Sequence, residues 1–441
     1  MRASWRVCAL AVGLLATPVA ALAQTAEQAQ ALRNEIDQLK KDFDARLSAL
    51  EAKLAALPGG DATPAPAAPA AAAQAAVPQT AAPQATAQVP TGAEGAGGPS
   101  GSLPVYGQAS GGSKIFNPDI AVIGNFIGAT GSNQVAPAPS LQMQESEASF
   151  QAVVDPYARA DFFLAFGEEG VELEEGFITF TSLPGGLLTR VGKMRAAFGK
   201  VNGLHNHVLT WADRPLVTTN LVGGEDGISD AGISVAKLIP NPWLFLEATG
   251  QIFRGDSAET LFRATRRSDV SYVGHLRGYH DLSDSTNLDL GFSYAYGHNP
   301  AGLVDGVDVG RFTTNLFGVD ATLRWRPLAR AIYHSFVGRS EVVWSRRDQF
   351  DGLQRSIGFY LSGDYQLGRR WFAGGRYDRS DRADQASIFD TGESAILTYW
   401  PSEFSQVRGQ YRRTDYGDGP TANEFLFQFQ FSIGAHGAHP F

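Results

Sequence analysis

The chain has 441 residues, 44% of them hydrophobic and 18% charged, with a formal net charge of −9 and a single cysteine. The acidic balance argues against a nucleic-acid partner. The lone cysteine, Cys8, excludes an intrachain disulfide. Past the first two dozen residues no uncharged apolar run is long enough to cross a membrane as a helix.

Arg2 and Arg6 precede an apolar run, Val7 to Ala16, and Ala21-Leu22-Ala23 offers a small-x-small cleavage site before Gln24. Residues 1–23 are therefore expected to be a secretory signal peptide. Its removal would take Cys8 with it and leave no thiol chemistry. Residues 24–57 are expected to form a helix. Leu32, Ile36, Leu39, Phe43, Leu47, Leu50, Leu54 and Leu57 recur at steps of four and three, with charged residues between them. This narrow apolar seam predicts an α-helical coiled coil of about four heptads, with a stutter at Phe43. The alternative is one amphipathic helix lying on the chain's own barrel. Either way the stripe needs a partner, because an isolated helix of this length is marginal. The coil is expected to join copies, giving a homotrimer, and cell-wall contact through residues 25–57 is a second expectation. Pro58-Gly59-Gly60 stops the helix, and residues 58–114 read as an extended Pro/Ala-rich linker.

Residues 115–441 alternate apolar and polar positions between turn signals. Strands are expected near 118–129, 141–154, 157–166, 171–181, 187–197, 228–238, 243–254, 269–281, 286–297, 312–326, 333–345, 355–367, 371–380, 392–400, 404–414 and 423–434. Tight turns are expected at Asp155-Pro156, Leu183-Pro184-Gly185-Gly186, Ile239-Pro240-Asn241-Pro242, Ser283-Asp284-Ser285, Arg326-Pro327-Leu328, Gly368-Arg369-Arg370 and Pro401-Ser402-Glu403. Longer polar connections, including 198–227, 255–268, 298–311, 381–391 and 415–422, fall between them. Alternating short and long connections predict an all-β transmembrane barrel of about 16 antiparallel up-and-down strands. With no transmembrane helix, a closed barrel is the remaining way to pair every backbone group inside a bilayer.

The last strand carries the clearest pattern. Phe425, Phe427, Phe429, Phe431 and Ile433 take one face, and Leu426, Gln428, Gln430 and Ser432 take the other. The first face suits lipid and the second a wet lumen. Ala158, Ala160, Phe162, Leu164 and Phe166 alternate likewise with Arg159 and Asp161, as do Phe317, Val319, Ala321, Leu323 and Trp325 with Asp320 and Thr322. Tyr399, Trp400, Trp371, Trp243 and Tyr333 beside the short turns are expected to form an interfacial aromatic girdle. Arg159, Asp161, Glu247, Asp320, Arg376, Arg408 and Arg412 become pore-lining candidates, with Glu145 and Glu147 as further acidic lumen groups. Charges of both signs would set a selectivity field.

Connection 198–227 is too long for a simple strand link, and such loops usually carry function. It is expected to enter or cap the lumen, burying Trp211, Leu216 and Val217. Asp213, Arg214 and Glu225 are its constriction candidates. His205 and His207, with Asp213 nearby, form a candidate metal pair for a borderline ion such as zinc; hydrogen bonding is the plainer role for both. His436 and His439 near the end read as a solvated tail or interface rung. No nucleotide-binding loop, dinucleotide glycine pattern or nucleophile elbow is present, so no enzymatic activity is expected.

A chain ending in an aromatic, Phe441, on such a strand resembles bacterial outer-membrane β-barrels. Signal peptide, short coil, Pro/Ala linker and a barrel of about 16 strands resemble the phosphate-selective porin O/P type. Asp155-Pro156-Tyr157, Glu174-Glu175-Gly176-Phe177, Leu183-Pro184-Gly185-Gly186, Gly192-Lys193, Phe198-Gly199, the His205–Asp213 loop, Pro401-Ser402-Glu403-Phe404 and Gly434-Ala435-His436 are similar to a family of proteobacterial outer-membrane proteins. Its members are labelled porins or zinc-regulated, TonB-dependent receptors. TonB-dependent receptors have about 22 strands and a plugged lumen; this chain shows neither the length nor a plug-like segment. The resemblance implies a porin in the outer membrane of a Gram-negative bacterium, with the coil in the periplasm, passing small hydrophilic solutes or ions. The alternatives are a plugless or zinc-related uptake protein and a structural tether to the cell wall.

Overall fold

The computed structural model describes residues 119–434 except 168, 169, 259, 306 and 386, together with Gln38 and Lys41. The expected signal peptide, the linker and the tail with His436, His439 and Phe441 lie outside the described residues. Of the expected coil only Gln38 and Lys41 are described, both helical and exposed.

Sixteen strands form one closed antiparallel barrel. They are β1 (Asp119–Ser132), β2 (Leu141–Asp155), β3 (Ala158–Gly167), β4 (Gly170–Leu183), β5 (Leu187–Arg195), β6 (Ser229–Leu238), β7 (Phe245–Phe253), β8 (Ser271–Ser283) and β9 (Thr286–His298). After a two-stranded hairpin, β10 (Leu303–Val304) and β11 (Val307–Asp308), follow β12 (Thr313–Trp325), β13 (Phe336–Gln349), β14 (Gly352–Gln366), β15 (Trp371–Asp381), β16 (Phe389–Ser402), β17 (Ser405–Asp415) and β18 (Ala422–Gly434). Each barrel strand pairs with its sequence neighbours in the wall, and β1 pairs with β18 to close the ring, with Phe126 opposite Phe429. All sixteen expected strands are present. Closure leaves no free edge, the condition for a sheet to sit in an apolar solvent.

The faces sort by side chain. On β18, Phe425, Phe427 and Phe429 point out and are exposed, while Leu426, Gln428 and Gln430 are buried inside. The inward polar groups pair across strands. Gln428 accepts from Arg408 Nη1 at 2.6 Å and donates to Asn125 Oδ1 at 2.8 Å, tying β17, β18 and β1 together at the closure. These contacts satisfy groups that burial would otherwise penalise.

Three local expectations are corrected. Residues 326–335 form two successive turns rather than one tight turn. Arg330 N–H donates to the Pro327 carbonyl, and the Arg330 carbonyl accepts from Tyr333 and His334 N–H. Tyr333 therefore lies in the connection and β13 starts at Phe336. Trp400 leaves the aromatic girdle: it is 6% exposed and faces inward. Tyr399 and Trp400 are adjacent, so a strand must send them to opposite faces. Tyr399 stays outside and packs on Trp371, ring centroids 4.5 Å apart. The lumen is also not wet throughout. Phe163, Phe177, Met194, Phe253, Leu316, Val343 and Tyr360 face inward and join one buried apolar cluster with residues from the connection between β5 and β6.

Candidate functional site

The connection 196–228 joins neighbouring strands, yet it touches walls all around the barrel. Ala197 N–H donates to Gln251 Oε1 on β7 at 2.7 Å, and Gly199 N–H to Ser293 Oγ on β9 at 2.8 Å. Lys200 Nζ reaches Asp289 on β9 at 2.9 Å, and the amides of Lys200 and Val201 donate to Glu341 on β13. Ala212 N–H donates to Gln410 on β17 at 2.8 Å, and Asn220 reaches Asp390 on β16 at 3.0 Å. One segment can meet all these strands only from inside. The loop therefore crosses the lumen.

Its apolar residues explain why it stays there. Phe198, Val201, Leu209, Trp211, Val217, Leu221 and Val222 are all buried against the inward-facing hydrophobics of the wall. Each such side chain is worth about 1.5–3 kcal/mol when removed from water. The short helix α1 (Leu216–Leu221) follows Pro215, whose fixed φ suits a helix start. It docks where the wall has no side chain. A Cβ on Gly358 of β14 would stand 2.8 Å from Val217 Cγ2. Gly199 has φ +59°, and a Cβ there would overlap the Glu341 carboxylate. Only glycine fits this close approach.

Three polar anchors hold the loop. The first is Asp213. Its Oδ2 accepts from Arg376 Nη2 and Arg412 Nη1, both at 2.9 Å, and its Oδ1 accepts from Gln410 at 2.6 Å. Burial would raise the Asp213 pKa, but the two guanidiniums outweigh it and hold the carboxyl at about 2. Arg376 also pairs with Asp378 at 2.6 Å and lies over the Trp211 ring at 4.9 Å. Arg412 also pairs with Glu424. The second anchor is Lys200, set among Asp289, Arg277 and Glu341.

The third anchor holds the histidines. His205 Nδ1 lies 2.5 Å from Glu147 Oε2 and 2.6 Å from Glu174 Oε2. His207 Nδ1 lies 3.7 Å from Glu145 Oε1 and 3.8 Å from Glu147 Oε2. Burial would lower both histidine pKa values, yet the surrounding glutamates raise both, His205 the more strongly. The rings pack edge to face at 5.6 Å. Glu145, Glu147, His205 and His207 together carry donor atoms that could hold a metal.

The expected candidates separate into distinct places. Asp213 is far from the histidine pair in function: it serves the arginines, so the histidines meet Glu145 and Glu147 instead. Arg214 turns back on its own loop and donates to the Val201 and Leu204 carbonyls and to Asn206 Oδ1. Glu225 is exposed and accepts from Asn206 Nδ2 at 2.5 Å. Arg376, Arg408 and Asp320 are buried on the inner wall, and Arg412 is half-buried there. Asp161 is buried with Arg159 clamped on it at 2.5 Å. Glu247 is half-buried on β7, opposite Arg277 on β8. Lys200, Asp289, Glu341, Asp378 and Gln410 were not anticipated. Glu174 and Glu175 could not both be placed inside by alternation. A bulge makes it possible: Phe163 is opposite Glu175 and Leu164 opposite Leu173, so Glu174 is the extra residue.

No protein-family model matches the chain. An uncharacterized protein of Aquifex aeolicus (strain VF5) is 28% identical over 331 residues, covering 68% of this chain and 70% of the relative. Among solved structures, the anion-selective porin from Comamonas acidovorans has a TM-score of 0.49 at 12% identity, covering 72% of this chain and 98% of that one. The outer membrane channel DcaP of Acinetobacter baumannii has a TM-score of 0.49 at 11% identity, covering 74% and 100%.

Proposed function

We propose that the protein is an outer-membrane channel for small hydrophilic solutes or ions, with the 196–228 loop as its constriction. The observation that carries this reading is the loop's set of inward contacts on β7, β9, β13, β16 and β17. An apolar outer face and a polar, ion-paired inner face support a bilayer-spanning wall. Arg159, Asp161, Glu247, Asp320, Arg376, Arg408 and Arg412 are the wall charges of the path, and Asp213 is the loop charge among them. Shortening Leu204–Gly223 should raise single-channel conductance severalfold in planar bilayers. An unchanged conductance, in a barrel shown to be folded, would place the loop outside the path.

The packed apolar cluster inside the barrel favours a second reading, regulated uptake with a loop that must move. Near-zero conductance of the intact protein that appears only after loop shortening would select it. The leucine stripe of residues 24–57 supports a periplasmic coil that joins three copies. Deleting residues 25–57 should leave the barrel folded and loosen the trimer on native gels. If oligomer size and cell-wall cross-linking are both unchanged, the coil has no such role.

A further inference from the structure

We propose that Glu145 and Glu147 of β2, with His205 and His207 of the loop, bind one divalent transition ion of the zinc class and so fasten the loop to the wall. This goes beyond the channel reading and does not require the barrel to conduct.

The donors are the right kind and nearly the right distance apart. One ligand atom from each of the four residues lies within 4.8 Å of the others. A tetrahedral zinc with bonds near 2.1 Å needs donors about 3.4 Å apart. The His207–Glu145 and His207–Glu147 separations, 3.7 and 3.8 Å, are within a small rotation of that spacing, while His205 Nδ1 and Glu147 Oε2, at 2.5 Å, must part by about 1 Å to share an ion. Two imidazoles and two carboxylates make a borderline donor set, which suits zinc and its neighbours over magnesium or calcium.

A separate observation concerns Glu145. Glu145 is 5% exposed, and neither of its carboxylate oxygens has a hydrogen-bond partner. A buried carboxylate without such partners is costly. Glu147, Glu174 and Glu175 are buried or nearly so beside it; facing these carboxylates are His205, 2.6 Å from Glu174, His207, 3.7 Å from Glu145, and Arg195, 3.8 Å from Glu174, with Arg214 in electrostatic reach of Glu145 and Glu174. A second grouping in the barrel shows the contrast. Asp269, His298 and Asp308 also lie together, but Arg311 is paired with Asp269 and the Thr265 hydroxyl meets both aspartates. His298 Nε2 and Asp308 Oδ1 also lack hydrogen-bond partners there, but a guanidinium already sits on Asp269, whereas the group paired with Glu145 is the His207 imidazole at 3.7 Å, itself a possible ligand.

The wall is shaped locally for the cluster. β2 is bulged at Gln144, because Asn125 is opposite Glu145 while Phe126 is opposite Met143. β4 is bulged at Glu174. Bulges re-aim side chains next to functional sites, and here β2 and β4, the two strands that flank β3, each carry one at the same cluster.

The test is calorimetric titration of Zn²⁺ into the full folded chain in detergent, with His436 and His439 replaced by alanine to silence the tail. The expected result is one saturable Zn²⁺ per chain, not displaced by millimolar Mg²⁺. Glu145→Gln should weaken binding at least about tenfold, and His207→Ala at least about a hundredfold. Glu145→Gln removes a charge with no hydrogen bond to lose, so it should fold even if His207→Ala does not. Absence of saturable binding, or binding that Glu145→Gln leaves unchanged, overturns the proposal. Because the titration does not read conductance, either failure leaves the channel reading standing.

Discussion

Replacing Asp213 with alanine is expected to release the far end of the lumen loop. Three donors on the wall, from Arg376, Arg412 and Gln410, converge on this one carboxylate. Removing one partner from a buried ion pair costs about 3–5 kcal/mol. Arg376 keeps Asp378 and Arg412 keeps Glu424, so the lower end, about 3 kcal/mol, is expected. The loss should appear as local opening rather than global unfolding. Hydrogen exchange at Ala212 and Val222 should accelerate about a hundredfold, the equivalent of that free energy. Two arginines would lose their shared anion, so reversal potentials should shift toward anions. The wild type should show the same loosening in acid. The Asp213 pKa is about 2 in the folded chain and about 3.9 when unfolded, so its contribution is complete above about pH 5 and is lost as pH falls toward 2. Asp213→Asn should lack that acid-dependent step. Equal exchange rates in wild type and Asp213→Ala would show that the anchor holds nothing.

The second large effect is expected on the outer wall. Phe429 points out between Phe126 of β1 and Val407 of β17 and is 38% exposed. Phe429→Arg should cost about 2–4 kcal/mol if the residue lies near the bilayer midplane. The measurement is refolding into vesicles against a urea series. The paired control is labelling with a lipid-phase thiol reagent. Cys8 is the only native cysteine, so a cysteine placed at 429 should react and one placed at 428 should not. Labelling at 428 with silence at 429 would reverse the face assignment and the reading built on it.

Much of the barrel was legible because its signals are local. Alternation in β18 comes from backbone geometry alone, and it sorted Phe429 from Gln428 without knowledge of any other strand. Asp155-Pro156 and Leu183-Pro184-Gly185-Gly186 likewise mark turns by their own φ restrictions. Alternation failed where one residue is inserted. Gln144 and Glu174 are bulged, and no period of two places Glu174 and Glu175 on the same side. At Trp400 strand phase overrides residue type: next to the outward Tyr399, an aromatic of the interfacial kind must face inward.

From its residues alone, then, this chain determines sixteen strands, their two faces and a long β5–β6 connection with apolar residues too many for an external loop. Those properties follow from neighbours one or two positions apart. Which inward groups meet is decided only by closure of the ring. Asp213 and Arg412 are 199 positions apart, and His205 and Glu147 are 58 apart. Barrel closure and strand register bring them within hydrogen-bond reach, and no local spacing encodes that approach. For the same physical reason Asp213 stands with the arginines and not with the histidines: its partner is set by which wall the folded loop reaches.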